Sequence, residues 1–334
     1  MAAALPLRIS NAYQRWQSSL DTAFASVVPR PNAPGDGTLA DMVWYHLDTG
    51  GKRLRPLLAL LATETLGGEA QQTLPFAAGL ELLHNATLVH DDYQDGDTVR
   101  RATPTVWRHY GWEQSINAGD GLYFAGLELV AQTPAPDAVL RRLTTVTAQR
   151  MRQVVEGQVN EFRLKGSRRP SEADYLHVIR GKTAGLFALP LEGAAICANA
   201  NPETLHKVAQ AGDAMGLLFQ VQDDLLDLIG QKGRDQVGTD IAEGKPSLPV
   251  VHALNHAHSD EAASLAKVLD KPRADTTPQD ISQAIDLLEA VGSIEYALDK
   301  VRSWRNIIRT DIAELDSLLR DVVSAIVAPI EGRL

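Results

Sequence analysis

Apolar residues recur along most of the chain at intervals of three and four. Leu57, Leu60 and Leu61 are followed one turn later by Glu64, and the same i, i+3, i+4 spacing runs through Phe76–Val89, Ala138–Phe162, Leu205–Ile229 and Ile281–Leu319. These stretches are 14 to 39 residues long, which suits helices and not strands. Strand-type alternation of β-branched residues is scarce. The longest stretch is expected to hold two helices, broken near Gly292-Ser293. Other breaks fall at Pro31–Gly37, Thr133–Asp137, Gly166–Ser171 and Lys271–Gln279, all containing Pro, Gly or Asp. None is long enough for a flexible interdomain linker, and no fixed-period repeat is visible. The pattern predicts an all-α fold, roughly ten or more helices, in one domain spanning residues 1–334.

Composition narrows the function classes. The chain has 334 residues, enough for one large core, and carries 32 Lys+Arg against 42 Asp+Glu, a net charge of −10. Such a surface argues against nucleic acid as the main partner but leaves room for a small basic pocket that takes a phosphorylated metabolite. The single cysteine, Cys197, excludes an intrachain disulfide framework and any cysteine-based zinc or iron–sulfur site, and is read as apolar filler in a helix. No run reaches the ~18 apolar residues that span a bilayer. Pro56–Leu66 is interrupted by Glu64, and Thr183–Ala200 by Glu192. Met1–Ser18 lacks the charged and apolar regions of a signal peptide. A cytoplasmic protein without a membrane span is expected.

The strongest local signal is His90-Asp91-Asp92-Tyr93-Gln94-Asp95, which closes the apolar pattern Phe76–Val89. A helix stacks Asp91 and Asp95 one turn apart, where two carboxylates repel unless a cation sits between them. Hard oxygen ligands of this kind suit Mg2+, which shares its shell with water and substrate phosphate. Gln220-Val221-Gln222-Asp223-Asp224-Leu225-Leu226-Asp227 repeats the spacing at the end of another apolar helix. One such cluster is ordinarily a solvated helix end. Two of them, facing each other across a helical bundle, would clamp a diphosphate through several Mg2+ ions. An EF-hand starting at Asp91 fails, with Tyr93 third and Ala102 twelfth. An HD-type phosphohydrolase centred on His90-Asp91 leaves the second cluster unexplained.

Basic groups complement these acids. Gly50-Gly51-Lys52-Arg53-Leu54-Arg55-Pro56 sets three cations beside two glycines, Arg100-Arg101 follows Asp95 closely, Lys182-Thr183 opens a small-residue helix, and Lys245 follows Gly244. Neither the Gly50 segment nor Thr239–Pro246 is a P-loop. Each group alone reads as a solvated face. Beside two Mg2+-type clusters they suggest two diphosphates held at once.

The ordered set GGKRLRP, ELLHNATLVHDDYQD followed by VRR, GKTAGLF, FQVQDDLLD and GTDIAEGKPSLP resembles the trans-prenyltransferases, or polyprenyl diphosphate synthases, from about Gly50 to Pro249. The resemblance implies an isoprenoid synthase helical bundle around a deep central cavity, working as a homodimer, that condenses isopentenyl diphosphate head-to-tail with an allylic diphosphate. It implies Mg2+, three ions per active site, on Asp91 and Asp95 with Asp92 close behind, and on Asp223 supported by Asp224 and Asp227. Arg100, Lys182, Thr183, Gln220 and Lys245 are implied contacts of the allylic substrate, with Lys182, Thr183 and Gln220 near the carbocation. Lys52, Arg55, His84 and Arg101 are implied holders of isopentenyl diphosphate. His84 stands seven residues before Asp91, on the same helix face. His90 is taken as supporting or structural. Two positions depart from the family. Ala102 stands where Gly is common, and Asp235 where a lysine is usual, leaving Arg234 or Lys232 as candidates to replace that lysine.

Product length is expected to follow the cavity floor. One turn back from Asp91 lie the small Ala86 and Thr87, then Leu82 and Leu83. Tyr123 and Phe124 are placed to close the floor from the opposite wall. In the family it resembles, small residues here and the lack of an insertion between Asp92 and Asp95 argue against a strict fifteen-carbon product, so the resemblance implies geranylgeranyl diphosphate, with longer-chain or farnesyl products as alternatives. A terpene cyclase would leave Lys52, Arg55 and Arg101 idle. A non-catalytic subunit of a heteromeric synthase tends to lose its acidic motifs, and both are intact here.

Overall fold

A computed structural model describes residues 6–33, 35–165, 167, 169–229, 237–308 and 312–334. Lys232, Arg234 and Asp235, the positions that bear on the missing family lysine, lie outside the described residues. The chain forms two compact units, one from Leu7–Gln149 with Leu189–Val208, the other from Arg150–Ala188 with Ala209–Leu334.

The first unit begins with α1 (Leu7–Val27), whose buried stripe Ile9, Ala12, Trp16, Leu20 and Phe24 keeps the three-and-four spacing. Helices α2 (Leu39–Leu47), α3 (Leu54–Thr65) and α4 (Ala70–Gln94) follow, then a two-residue-strand hairpin, β1 (Val99–Arg100) and β2 (Thr103–Pro104), and α5 (Val106–Tyr110), α6 (Trp112–Ala131) and the start of α7 (Asp137–Lys165). α4 is buried nearly all round, as expected of a helix enclosed by others. Its partner α6 runs antiparallel to it at backbone contact. A Cβ on Gly79 would lie 2.6 Å from the Gly126 carbonyl oxygen, and one on Gly119 would overlap the His90 ring at 2.1 Å. Glycine at these positions lets the end of α4, where the first acidic cluster sits, lie tight against α6.

In the second unit α8 (Glu172–Ile179) starts from a capping box in which Ser171 and Asp174 satisfy each other's backbone amides. It runs into a π-helical turn, Arg180–Ala184, and then α9 (Gly185–Cys197), which from Leu189 onward belongs to the first unit, as does the start of the next helix up to Val208. α10 (Pro202–Ile229) carries the second acidic cluster, followed by α11 (Thr239–Ala242), α12 (Leu248–His256) and α13 (Ser259–Leu269). The C-terminal part is α14 (Pro278–Ala290), α15 (Ser293–Ile307) and α16 (Ala313–Val327).

The predicted periodic stretches fall inside α4, α7 and α10, and the break at Gly292 is confirmed with φ 75°. The stretch Ile281–Leu319 holds parts of three helices and not two, because the chain leaves helical geometry again at Ile308, with ψ 70°. Apolar spacing reports which residues are buried, and it continued across that interruption. Cys197 lies in α9 as a free, half-buried thiol.

Candidate functional site

In the first unit the acidic motif occupies the C-terminal turn of α4. Asp91 and Asp92 are helical and Asp95 is the C-cap. No basic residue shares that turn. Carboxylates there oppose the helix macrodipole, at about 0.3–1 kcal/mol each when exposed, so their presence asks for a reason other than helix stability. Asp91 and Asp95 are half-buried, open enough to take a ligand.

Asp92 behaves differently. Only 1% exposed, it accepts from Arg100 at Oδ1, 2.7 Å from Nε and 2.6 Å from Nη2, while its buried Oδ2 meets no protein donor. Burial pushes its carboxyl up, against the pull of Arg100. Asp92, expected as a metal ligand, is closed to solvent and has Oδ1 committed to Arg100, which leaves only the buried Oδ2 for any further partner. On the Arg100 side, burial works against the charge, yet Asp92, Asp97 and Asp91 hold the guanidinium above its ordinary value.

The hairpin that presents the paired arginines turns at Arg101 and Ala102, with φ of 51° and 62°. Two left-handed residues at the centre of a two-residue hairpin are the type I′ pattern, where glycine is favoured. This accounts for the family's usual Gly at position 102, and Ala102 adopts the same conformation. Arg101 reaches back to the Gly50 carbonyl and to Thr49 Oγ1. A Cβ on Gly51 (φ 144°) would lie 3.0 Å from that guanidinium.

The three cations of the Gly50–Pro56 segment have separate fates. Lys52 is exposed. Arg53, in left-handed conformation (φ 47°), is consumed by an ion pair to the buried Glu81 at 2.8 Å and by the Leu47 carbonyl at 3.0 Å. Arg55 is brought down to about 10 by burial, with Glu81 opposing. Arg101 is lowered by burial and by Arg100 and Arg53. His84, whose buried Nδ1 meets no protein partner, is held well below the usual imidazole range by burial, then by Arg55, Arg100 and Arg101. A histidine kept neutral by burial and by the charges of Arg55, Arg100 and Arg101, with a buried ring nitrogen that meets no protein partner, stands where an anion would be welcome.

Beneath it runs a network that the sequence reading missed. Glu81 Oε1 accepts from Arg53 and from Asn85 Nδ2 at 3.0 Å, and Asn85 Oδ1 faces His46 Nε2 at 3.0 Å. His46 falls to about 3, through burial and the charges of Arg100 and Arg101. It is neutral and holds the end of α2, just before the Gly50–Gly51 loop. Nothing in local spacing marks His46 or Glu81, because both read as ordinary helix positions.

Further back along α4, Ala86 and Leu83 are fully buried, and Thr87, 7% exposed, donates to the His84 carbonyl at 2.7 Å. Leu83 packs on Gly126 of α6. Tyr123 tilts against His90 with ring centroids 5.7 Å apart, and burial, Asp91 and Asp120 raise its phenol to about 12. Phe124 is corrected: at 72% exposure its ring lies on the outer side of α6 and closes no floor from within this chain. His90 is structural, packed on Gly119 with Nε2 3.3 Å from the Ile116 carbonyl.

In the second unit the chemistry gathers around the π turn. Glycines let it sit against the backbone of both flanking helices. A Cβ on Gly157 of α7 would lie 2.2 Å from Lys182 N, and one on Gly216 of α10 would lie 2.3 Å from Ala184 Cα. Lys182 Nζ pairs with Glu161 of α7 at 2.5 Å. Thr183 donates to Gln220 Oε1 at 2.8 Å, and Gln220 Nε2 donates to Asp224 Oδ1 at 3.1 Å. Asp224 Oδ2 accepts from the Tyr175 hydroxyl at 2.6 Å and from Leu248 N at 3.1 Å. Burial, then Asp240, raises Asp224 to about 7 against these donors.

Asp227 is also taken. It accepts from the Thr239 hydroxyl and, at 2.9 Å, from Asp240 N, and so secures the start of α11. The expectation that Asp224 and Asp227 ligate metal is corrected on this ground: both are buried with both oxygens engaged by protein donors. Asp223 alone of the three is half-buried. Lys245 is held by Glu243 at 2.8 Å with Asp240 at 3.7 Å. Glu161, Tyr175 and Glu243 were not anticipated. The one available signal for Glu161 was Gly157 in the interior of a strongly helical pattern, which marks close backbone approach.

Asp91 and Asp95 in the first unit, and Asp223 in the second, are oxygen donors of the kind that fits a hard divalent cation. Among the described residues no three His, Cys, Asp or Glu side chains converge into a ready-made cage.

Residues 36–288 match the family model for polyprenyl synthetase. The chain is 34% identical over 264 residues to a short chain isoprenyl diphosphate synthase of Methanocaldococcus jannaschii, covering 78% of this chain and 79% of that protein. A solved geranylgeranyl pyrophosphate synthetase from Pyrococcus horikoshii superposes with TM-score 0.86 at 29% identity, covering 96% of this chain and 98% of the other. A polyprenyl synthase from Caulobacter crescentus, solved with calcium and isoprenyl diphosphate, superposes with TM-score 0.84 at 26% identity, covering 96% and 97%.

Proposed function

The chain belongs to the polyprenyl synthetase family and is a prenyltransferase, and from that premise we propose that it condenses isopentenyl diphosphate with an allylic diphosphate to give geranylgeranyl diphosphate. The observation that carries this reading is the cluster of Arg55, Arg100, Arg101 and neutral His84 beside Asp91 and Asp95. Three arginines and a buried histidine with an unpartnered Nδ1, next to half-buried carboxylates, suit a polyanion and its counter-cation. A cyclase, which takes one diphosphate, gives no reason for so many.

Mg2+ held by Asp91 and Asp95, and Mg2+ held by Asp223, would each supply charge neutralisation of a leaving diphosphate. A Caulobacter crescentus relative was solved with calcium and isoprenyl diphosphate, which supports a divalent cation alongside a diphosphate substrate. Asp92 fixes the Arg100 guanidinium, which binds phosphate oxygen. Arg55, Lys52 and Arg101 hold the second diphosphate, and His84, neutral before the anion arrives, offers a ring donor. Lys182, held by Glu161, lends positive charge to the departing group. The buried walls of α4, with small Ala86 and Thr87, leave length for a growing apolar chain. The full chain is proposed to act as one catalytic domain, in the cytoplasm, as a homodimer. Exposed apolar Ile116 and Phe124 on α6 support an association face. No described helix is long and apolar enough to cross a membrane.

The test is incubation of the purified protein and Mg2+ with labelled isopentenyl diphosphate and each of the short allylic primers, followed by sizing of the extracted alcohols. Geranylgeraniol as the main product supports the proposal. Consumption of allylic diphosphate without incorporation of label overturns it.

A further inference from the structure

The hydrogen bonds behind Thr183 form a chain with a direction, and Asp224 sets it. A backbone amide can only donate, so Leu248 N fixes Asp224 Oδ2 as an acceptor, and the Tyr175 hydroxyl gives its proton to the same oxygen. The other oxygen, Oδ1, lies 3.1 Å from the Gln220 amide. In its ionised form Asp224 accepts only, so Gln220 turns its NH2 toward Asp224 and its carbonyl the other way. That carbonyl faces Thr183 at 2.8 Å and has no proton to give, so the Thr183 hydroxyl must donate. Its proton is thereby spent inside the protein and its lone pairs are left outward.

We infer that Asp224 and Tyr175 are positioning residues whose task is to orient Gln220, so that Thr183 presents an electron-rich oxygen, and never its O–H, to the allylic cation. The inference rests on the prenyltransferase reading and deepens it. A hydroxyl with its dipole reversed would aim a partial positive charge at a cation. The arrangement is rigid because Asp224 and Tyr175 are 5% and 4% exposed and Leu248 is fully buried, so no water competes for the bonds. It also explains why the second acidic motif keeps an aspartate at 224 that has no oxygen to spare for metal.

Asparagine is the isostere that reverses the chain. In Asp224→Asn the oxygen stays with Leu248 N and Tyr175, and the NH2 falls opposite Gln220. Gln220 must then flip, donate to Thr183, and leave the threonine proton facing outward. Adding Gln220→Glu restores the original direction, since a carboxylate at 220 accepts both from the new amide at 224 and from Thr183.

The experiment compares steady-state kinetics and melting curves of wild type, Asp224→Asn, Gln220→Glu, the double variant and Tyr175→Phe. For Asp224→Asn, kcat should fall about 10²-fold, the usual cost of one misdirected transition-state group, with KM for isopentenyl diphosphate unchanged. The double variant should recover at least about tenfold over Asp224→Asn, a rescue that a merely structural Asp224 would not give. Tyr175→Phe, which keeps its volume, should lower kcat about threefold to tenfold at constant KM, the value of one lost hydrogen bond. Undiminished kcat in Asp224→Asn, or a double variant no faster than Asp224→Asn, overturns the inference. Should Asp224→Asn fail to fold, Tyr175→Phe decides, and wild-type kcat in it overturns the inference. A folded wild-type chain that makes no product defeats the functional reading instead.

Discussion

Gly157→Ala adds one methyl group to α7, far along the chain from either acidic motif. The new Cβ would stand 2.2 Å from Lys182 N and 2.8 Å from Lys182 Cα and Gly181 C, where ordinary contact begins near 3.4 Å. The π turn must retreat by about 1.2 Å, since backbone atoms on both sides leave no flexible side chain to absorb the strain. A shift of that size cannot preserve both the 2.8 Å bond from Thr183 to Gln220 and the 2.5 Å pair of Lys182 with Glu161. Overpacking should cost about 1–3 kcal/mol of stability, softened by the ~1 kcal/mol that alanine gains over glycine in a helix. The larger effect is on rate. Misplacing a positioned group by about 1 Å costs on the order of 10²-fold. We expect kcat to fall by that factor while KM for isopentenyl diphosphate holds, because its proposed ligands lie in the other unit. Gly185→Ala is the matched control: on the same segment, its Cβ would meet nothing closer than 3.8 Å, and it should be active and slightly more stable. Product assays with melting curves on both variants settle the matter. If Gly157→Ala keeps kcat within about threefold of wild type, the tight packing of the π turn does not govern the chemistry.

His46 predicts a pH dependence of stability. Its ring falls from 6.5 to about 3 on folding, so between those values the unfolded chain binds a proton that the native one refuses. This contribution is therefore full above about 6.5 and is lost as pH falls toward 3, up to about 5 kcal/mol in all. His46→Gln should flatten the melting temperature against pH across that window, and an unchanged slope would show that the ring is not held neutral. Along α4, Ala86→Phe should shorten the main product by about one isoprene unit, because one helical turn rises about 5.4 Å. Phe124→Ala should leave the product spectrum as it is, since that ring faces outward. Longer products from Phe124→Ala, or unchanged lengths from Ala86→Phe, would require a floor elsewhere.

The parts that were legible in the sequence are those written in short spacing. Apolar periodicity placed α7 and α10 to within three residues and the middle of α4, whose ends lie six and five residues further out, and the paired Asp-Asp-x-x-Asp motifs marked where two of them end. Roles that depend on burial were not legible. Asp91 and Asp92 are adjacent letters of one motif, yet one is half-open and the other is locked to Arg100. Likewise Arg53 stands between Lys52 and Arg55 but spends its charge on Glu81, 28 residues away. Tyr175 meets Asp224 across 49 residues, a distance no local pattern encodes. Phe124 was misplaced because its neighbour Tyr123 faces inward, and a turn of 100° separates neighbours on a helix.

The π turn at Arg180–Ala184 means that the reactive segment rests on an irregularity of count. Ordinary helix fits 3.6 residues to each turn, and here the coil takes up an extra one. Trimming a single residue from that stretch would relax it into straight helix, a gain in regularity, yet swing every upstream side chain round the axis by about 100°. Lys182 and Thr183 would then look elsewhere. A shorter and tidier rod would have lost its aim, so on the proposed reading the surplus residue serves the chemistry as much as the side chains it turns.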